Sequence, residues 1–446
     1  MSRIMEFADA QDTSRVQEDS QESGIRDTDT EETSVKQAVV GDAPDGGLTA
    51  WLQVLCGHLI VFNVWGYINS YGIFESYYVA TLNRSSSDIA WVGSLQIFFV
   101  YFLGSFSGRA TDAGYIRTTL AVGLFMQLLG VFMTSLATSY WQLLLSQGVC
   151  QGIGDGLLFC PIVALMSTYF TTKRTIAISI SACGAATGGL VFPAIAQTLL
   201  HRIGFAWTVR VMGFVLLFNA VVILLCVRQR LPPRKSGSLI ELKAFTDLSY
   251  TLFAMGTFFC FWAVYYAYDY VRSFGQSIIG VSDYTSFSVL MIMNGLGLPG
   301  RLIPAFLSDR YTGPVNMFIP VSGCAAVVLY SWIAIDFYGG LIAFVVVYGF
   351  FGGGVQSLFP SALASLTDEP SKSGVRIGMI FSIVSIASLT GPPIAGALID
   401  IHGGQYLYAQ LFGGSSMLLG CLLLLVARYC KCGMRLYQRM YRHLKI

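Results

Sequence analysis

Residues 152–161 read Gly-Ile-Gly-Asp-Gly-Leu-Leu-Phe-Cys-Pro, and residues 352–360 read Gly-Gly-Gly-Val-Gln-Ser-Leu-Phe-Pro. Each run sets small residues where helix backbones approach closely and closes on a proline inside a long apolar stretch. That combination suits helices surrounded by lipid and by one another. Other landmarks repeat with them. Pro193 returns as Pro393, Arg174 as Arg376, and Asp112 as Asp309, in the same order and at an offset of about 200 residues. Four ordered landmarks imply a duplicated unit: two six-helix bundles of one topology.

The composition supports this. Of 446 residues, 54% are hydrophobic and 12% charged, where soluble domains carry about 25% charged residues. A helix needs about 20 apolar residues to cross the hydrocarbon core. Glycine, proline and charge punctuation places spans at 51–74, 88–108, 118–138, 141–162, 175–200 and 204–227, then at 249–271, 284–307, 315–336, 339–364, 376–399 and 405–427. The expected fold is therefore an all-α membrane protein of about twelve transmembrane helices in two pseudo-symmetric bundles. An acidic tail (1–47) precedes a first bundle (48–227); a linker (228–247) leads to a second bundle (248–428) and a basic tail (429–446). The first tail holds twelve of the 25 acids and almost no aromatics, too polar a stretch to bury a core, so disorder is expected there.

Charge in the short loops orients the spans. Arg117, Lys173, Arg228, Arg230, Arg234, Lys235, Lys243, Arg310 and Lys372 fall on one side, with a basic C-terminal stretch. The positive-inside pattern makes that side, and both termini, cytoplasmic; the plasma membrane is the expected location. Asn83-Arg84-Ser85 falls in the first outer loop, making Asn83 a candidate glycosylation site.

Gly108-Arg109-Ala110-Thr111-Asp112-Ala113-Gly114 and Leu307-Ser308-Asp309-Arg310-Tyr311-Thr312-Gly313 resemble the loops after the second and eighth spans of the major facilitator superfamily. The resemblance implies a conformational latch of Asp112, Arg109, Asp309 and Arg310, holding the cytoplasmic ends of the bundles together. Asp45-Gly46-Gly47-Leu48-Thr49-Ala50-Trp51 and Tyr169-Phe170-Thr171-Thr172-Lys173-Arg174-Thr175-Ile176-Ala177 resemble the two signatures of the monocarboxylate porter family, in its fungal branch. The likeness covers about residues 44–428 and implies rocker-switch alternating access driven by a solute or ion gradient.

Ionisable groups inside spans are costly and mark function. Arg301, in Asn294-Gly295-Leu296-Gly297-Leu298-Pro299-Gly300-Arg301, matches the porters' substrate-carboxylate arginine; its guanidinium offers paired donors that suit an acid. The alternative is an arginine at the end of its span, pairing with Asp309. The sequence departs from the porters twice. Gly297 stands where they carry an aspartate, and Asn69 where they carry a lysine, which weakens the case for lactate-like proton symport. Asp155, in the glycine run, is the replacement candidate for proton coupling, with a packing acid satisfied by its neighbours as the alternative. Asn69, Asn294, Trp65, Tyr265, Phe159 and Phe359 complete the expected substrate-binding set. Aromatic rings there would stack on a planar solute.

No Gly-x-x-x-x-Gly-Lys-[Ser/Thr] loop occurs, so ATP binding by that route is excluded. His58, His201, His402 and His443 are too scattered for a metal motif, and no catalytic constellation stands out. The expectation is a transporter and not an enzyme, without metal, cofactor or nucleic acid. Its partners would be a small organic acid or planar metabolite, the bilayer, and protons as the coupling ion. Export of a fungal secondary metabolite remains an open alternative, as does a transporter-like nutrient sensor.

Overall fold

The structure, a computed structural model, describes residues 43–84, 86–230, 240–366 and 373–443. The acidic tail before residue 43 and the middle of the linker lie outside the described residues. Among them are eleven helices long and apolar enough to span a membrane. These are α1 (Leu48–Glu75), α2 (Asp88–Asp112), α3 (Ile116–Thr134), α4 (Tyr140–Tyr169), α5 (Arg174–Cys226), α6 (Leu248–Ser277), α7 (Asp283–Thr312), α8 (Pro314–Ala334), α9 (Tyr338–Leu366), α10 (Gly374–Ile401) and α11 (Leu407–Lys431).

The fifth needs a separate account. Its 53 residues would run roughly 80 Å at 1.5 Å per residue, far beyond one hydrocarbon core. Gly204, at φ 76° and ψ 170°, interrupts it, in a region of backbone space that glycine enters at no steric cost. α5 is thus two spans joined at Gly204, and the total among the described residues is twelve. Bulky apolar side chains such as Phe125, Trp141, Phe214, Phe218, Val327 and Leu422 stand exposed on the helices, as expected where lipid is the solvent.

Within the first half, α1 packs on both arms of α5. Within the second, α6 packs on α11 and α7 on α9. Two seams join the halves: α2 against α10 and α5 against α7. The α2–α10 seam is a backbone contact. A Cβ on Gly108 would overlap the Gly374 carbonyl, and one on Gly374 would overlap that of Gly108, so only glycine fits there. The repeat also shows in two helix breaks, at Ser70 in α1 and at Tyr265 in α6. These are the first spans of their halves, and they face the cavity described next.

The linker is tied down where it is described. Glu241 takes the Arg376 guanidinium at 3.0 and 3.3 Å, and Arg230 donates to the Thr168 carbonyl at 2.6 Å. The final helix continues to His443; side chains beyond Lys431 lie outside the described residues.

Candidate functional site: a central cavity and two helix-end latches

Trp65 of α1 and Tyr265 of α6 stack across the halves, with ring centroids 5.6 Å apart and planes 15° apart. The Tyr265 hydroxyl shares a 2.8 Å hydrogen bond with that of Tyr101 on α2. Phe159 closes the cluster, edge-on to Trp65 at 6.1 Å. These four line a cavity with Ser181, Arg301, Gln356 and Pro360. Its volume of about 30 Å³ has room for one or two waters. An organic solute would need the walls to part.

Arg301 is 3% exposed. Its Nη1–H donates to the Gly297 carbonyl at 3.0 Å and its Nη2–H to Gln356 Oε1 at 2.8 Å. Its Nε–H has no partner. Among the described residues no carboxylate pairs with it. The buried guanidinium is thus held by neutral acceptors, with one donor to spare.

Asn69 and Asn294 come together beside Gly189: a Cβ there would meet Asn69 Nδ2 at 2.8 Å and the Asn294 amide at 3.4 Å. Asn69 donates weakly to the Ala185 carbonyl at 3.4 Å, and Asn294 Nδ2 has no partner. They lie outside the cavity lining, Asn294 two turns before Arg301 on α7. Phe359 is also outside it, packed on Phe261 at 4.7 Å and Phe381 at 5.4 Å. Its neighbour Pro360 takes the cavity face, because adjacent helix positions point about 100° apart.

Asp155 is fully buried, and it too lies outside the lining. Oδ2 accepts from Gln96 Nε2 at 2.8 Å and Oδ1 from Gln127 Nε2 at 2.6 Å. The carboxylate thereby ties α4 to α2 and α3.

The paired loop aspartates both hold backbone N–H groups. Asp112 accepts from the N–H groups of Gly374 and Val375, at 3.1 and 3.0 Å, at the start of α10. Asp309 accepts from those of Thr175 and Ile176, at 3.1 and 2.7 Å, at the start of α5. Each aspartate thus caps a helix of the other half, where the orphan N–H groups and the positive end of the helix dipole favour an anion. Asp309 sits on a wide π-helical turn, Ser308–Thr312. Arg310 beside it is exposed and lies over the Tyr311 ring at 5.6 Å, and Arg109 is half-buried near the seam. Arg301 and Asp309 do not pair, since both have other partners. Asn83 stands exposed at a helix end with φ 48°.

Sequence reasoning missed Tyr101 and Gln356. The repeat held a signal for the second, because Gln356 aligns with Leu157 and puts an amide where the first copy is apolar. Among the described residues no group of metal-ligating side chains occurs.

The model of the Major Facilitator Superfamily matches residues 54–369. An "MFS-type transporter" of Gibberella zeae is 46% identical over 391 residues, 87% of this chain and 88% of that protein. The "Aspyridones efflux protein apdF" of Emericella nidulans is 35% identical over 404 residues, 89% of this chain and 82% of its own. Among solved structures, the human organic anion transporter MFSD10 superposes with a TM-score of 0.70 at 14% identity, over 84% of this chain and 99% of that one. The fucose:proton symporter FucP of E. coli superposes at 0.66 and 15%, over 85% and 98%. Twelve apolar spans, two cross-half seams and these matches lead to one conclusion: this chain is a transporter belonging to the major facilitator superfamily.

Proposed function

We propose that the protein exports a planar, acidic secondary metabolite, using a cavity of monocarboxylate-porter type. The observation that carries this is Arg301, buried without a carboxylate partner in a cavity walled by the Trp65–Tyr265 stack. The guanidinium receives the acidic end of the solute, Gln356 orients it, and Trp65, Tyr265, Tyr101 and Phe159 take the ring system. A relative that is an aspyridones efflux protein supports metabolite export. So does Gly297 in place of the porters' aspartate. The charge bias supports cytoplasmic termini and a plasma-membrane location, with the latches of Asp112 and Asp309 at the cytoplasmic end.

The test is flux of labelled planar acids and of small monocarboxylates in proteoliposomes, with and without a pH gradient, for wild type and Arg301→Ala. Loss of a charge-assisted bond is worth about 1.5–3 kcal/mol, so flux of a planar acid should fall at least tenfold in the variant. Equal flux in both proteins would remove Arg301 as the anion end. Transport confined to small carboxylates would replace the exporter reading with a porter of the monocarboxylate kind.

A further inference from the structure

A second cavity, of about 190 Å³, lies at the end of the second half that carries Asp309. Its wall includes Ser249, Thr312, Gly313, Asn316, Arg428 and Lys431. We infer that it binds a phosphate-bearing anion, the headgroup of an acidic phospholipid or a free phosphate ester of the same chemistry.

Three independent features converge there. Arg428 and Lys431 are half-buried and three residues apart on α11, a spacing that puts both cations on one helix face. Among the described contacts Arg428 uses only Nε, which donates to Asn316 Oδ1, while a guanidinium carries five donors. The N-terminus of α8 opens into the same space. Gly313, at φ 81°, caps it, and Pro314 occupies its first position. The first-turn N–H groups have no partner within the helix and favour an anion. Finally, Ser249 is 2% exposed, and its hydroxyl has no hydrogen-bond partner. An unmet buried hydroxyl beside two cations and a helix N-terminus is what a bound phosphate oxygen would satisfy. Among the described residues the lining contains no carboxylate. Asp247, before the start of α6, accepts from the Ser249 N–H at 2.9 Å.

The position supports a lipid source. The loop-charge bias assigns this end to the cytoplasm, where acidic lipids concentrate. Thr312 belongs to the turn that presents Asp309, so an occupant there bears directly on a latch.

The experiment is native mass spectrometry of the purified full-length protein in detergent. The probes are dioctanoyl phosphatidylserine, dioctanoyl phosphatidylcholine, glycerol 3-phosphate and inorganic phosphate. Wild type should retain the serine lipid about tenfold more tightly than the choline lipid. The double variant Ser249→Val with Lys431→Gln should lose that preference, while Arg117→Gln, an exposed cation of the first half, should keep it. Displacement of the serine lipid by glycerol 3-phosphate or inorganic phosphate at similar concentrations would identify a free phosphate source. Displacement only by diacyl lipid would identify the headgroup. Equal retention of choline and serine lipids by wild type overturns the inference without any variant. An unchanged preference in a double variant that elutes as wild type does so as well.

Discussion

Gly297 lies one helical turn before Arg301, and its carbonyl receives the Nη1–H of that arginine. A Cβ at this position would overlap Nη1, so Gly297→Asp brings a carboxylate against the guanidinium and supplies the internal partner that the native site lacks. Flux of an anionic metabolite should then fall at least tenfold in proteoliposomes, with unchanged elution on size-exclusion chromatography. Undiminished flux would show that the solute's acid does not use Arg301. Asp155 calls for different arithmetic. Its oxygens accept from two glutamines whose own carbonyl oxygens are buried without partners. Asp155→Asn is therefore repaired by turning one glutamine amide over, whereas Asp155→Leu leaves two buried donors unmet at about 1–3 kcal/mol each. The expected result is a thermal midpoint near wild type for the asparagine variant and a clear drop for leucine. Since Asp155 stands away from the cavity, the asparagine variant should also keep any stimulation by a pH gradient. Loss of that stimulation in a stable asparagine variant would return proton coupling to Asp155.

The turn between α4 and α5 is closed by a residue from before α1. Asp45 accepts from the N–H groups of Thr171 and Thr172, at 2.6 and 3.0 Å, and from the Thr171 hydroxyl. The two stretches that resemble the porter signatures are thus in contact. Burial pushes the Asp45 carboxyl up, but the hydrogen bonds from Thr171 and Thr172 outweigh it and hold the group below its ordinary value. A depressed native value stabilises the fold above the ordinary carboxylate pKa, and the gain disappears as pH falls through the native one. Asp45→Asn should therefore unfold at lower temperature than wild type at pH 7, by no more than about 1 kcal/mol for so exposed a group. The gap should narrow as pH is taken below the ordinary carboxylate pKa, and a gap of constant size would assign the effect to shape rather than charge. The elements themselves were largely legible, because lipid demands runs of about 20 apolar residues and permits little else. Their ends were less so. α4 continues to Tyr169 and α7 to Thr312, past the apolar runs at 141–162 and 284–307, because hydropathy marks the hydrocarbon core while helices continue into the water beyond it. Four of the expected residues line the cavity: Phe159 was pointed to by the proline pair of the repeat, Trp65 and Tyr265 by the first spans of the two halves, and Arg301 by the resemblance to the porters. The true positions of Tyr101, Gln356 and Phe359 were not legible, because the rotation of a helix about its axis is set by neighbours far away in sequence.

The whole molecule carries the same helix cap twice, and in each copy the aspartate of one half caps a helix of the other. The repeat made Asp112 and Asp309 recognisable as equivalents. It gave no hint of their partners, because backbone N–H groups at a helix start leave no side-chain signature. A charge at such a terminus contributes about 0.3–1 kcal/mol, and up to about 2 when partly buried. Both aspartates are half-buried, so about 1–2 kcal/mol each is the expected scale. Removing both should shift the balance towards opening of this end by about thirtyfold or more. Cys160 reports the change: it is fully buried, and the seam at Gly374 covers its Sγ. Its labelling by a membrane-permeant maleimide, followed by peptide mass spectrometry, should scale with the open population. Asp112→Asn and Asp309→Asn should each accelerate labelling several-fold, and the double variant should approach the product of the two, since well-separated and independent sites add in free energy. A double variant no faster than either single one would mean that the two caps release together as one device. Labelling unchanged in all three would mean that this end opens without breaking either cap.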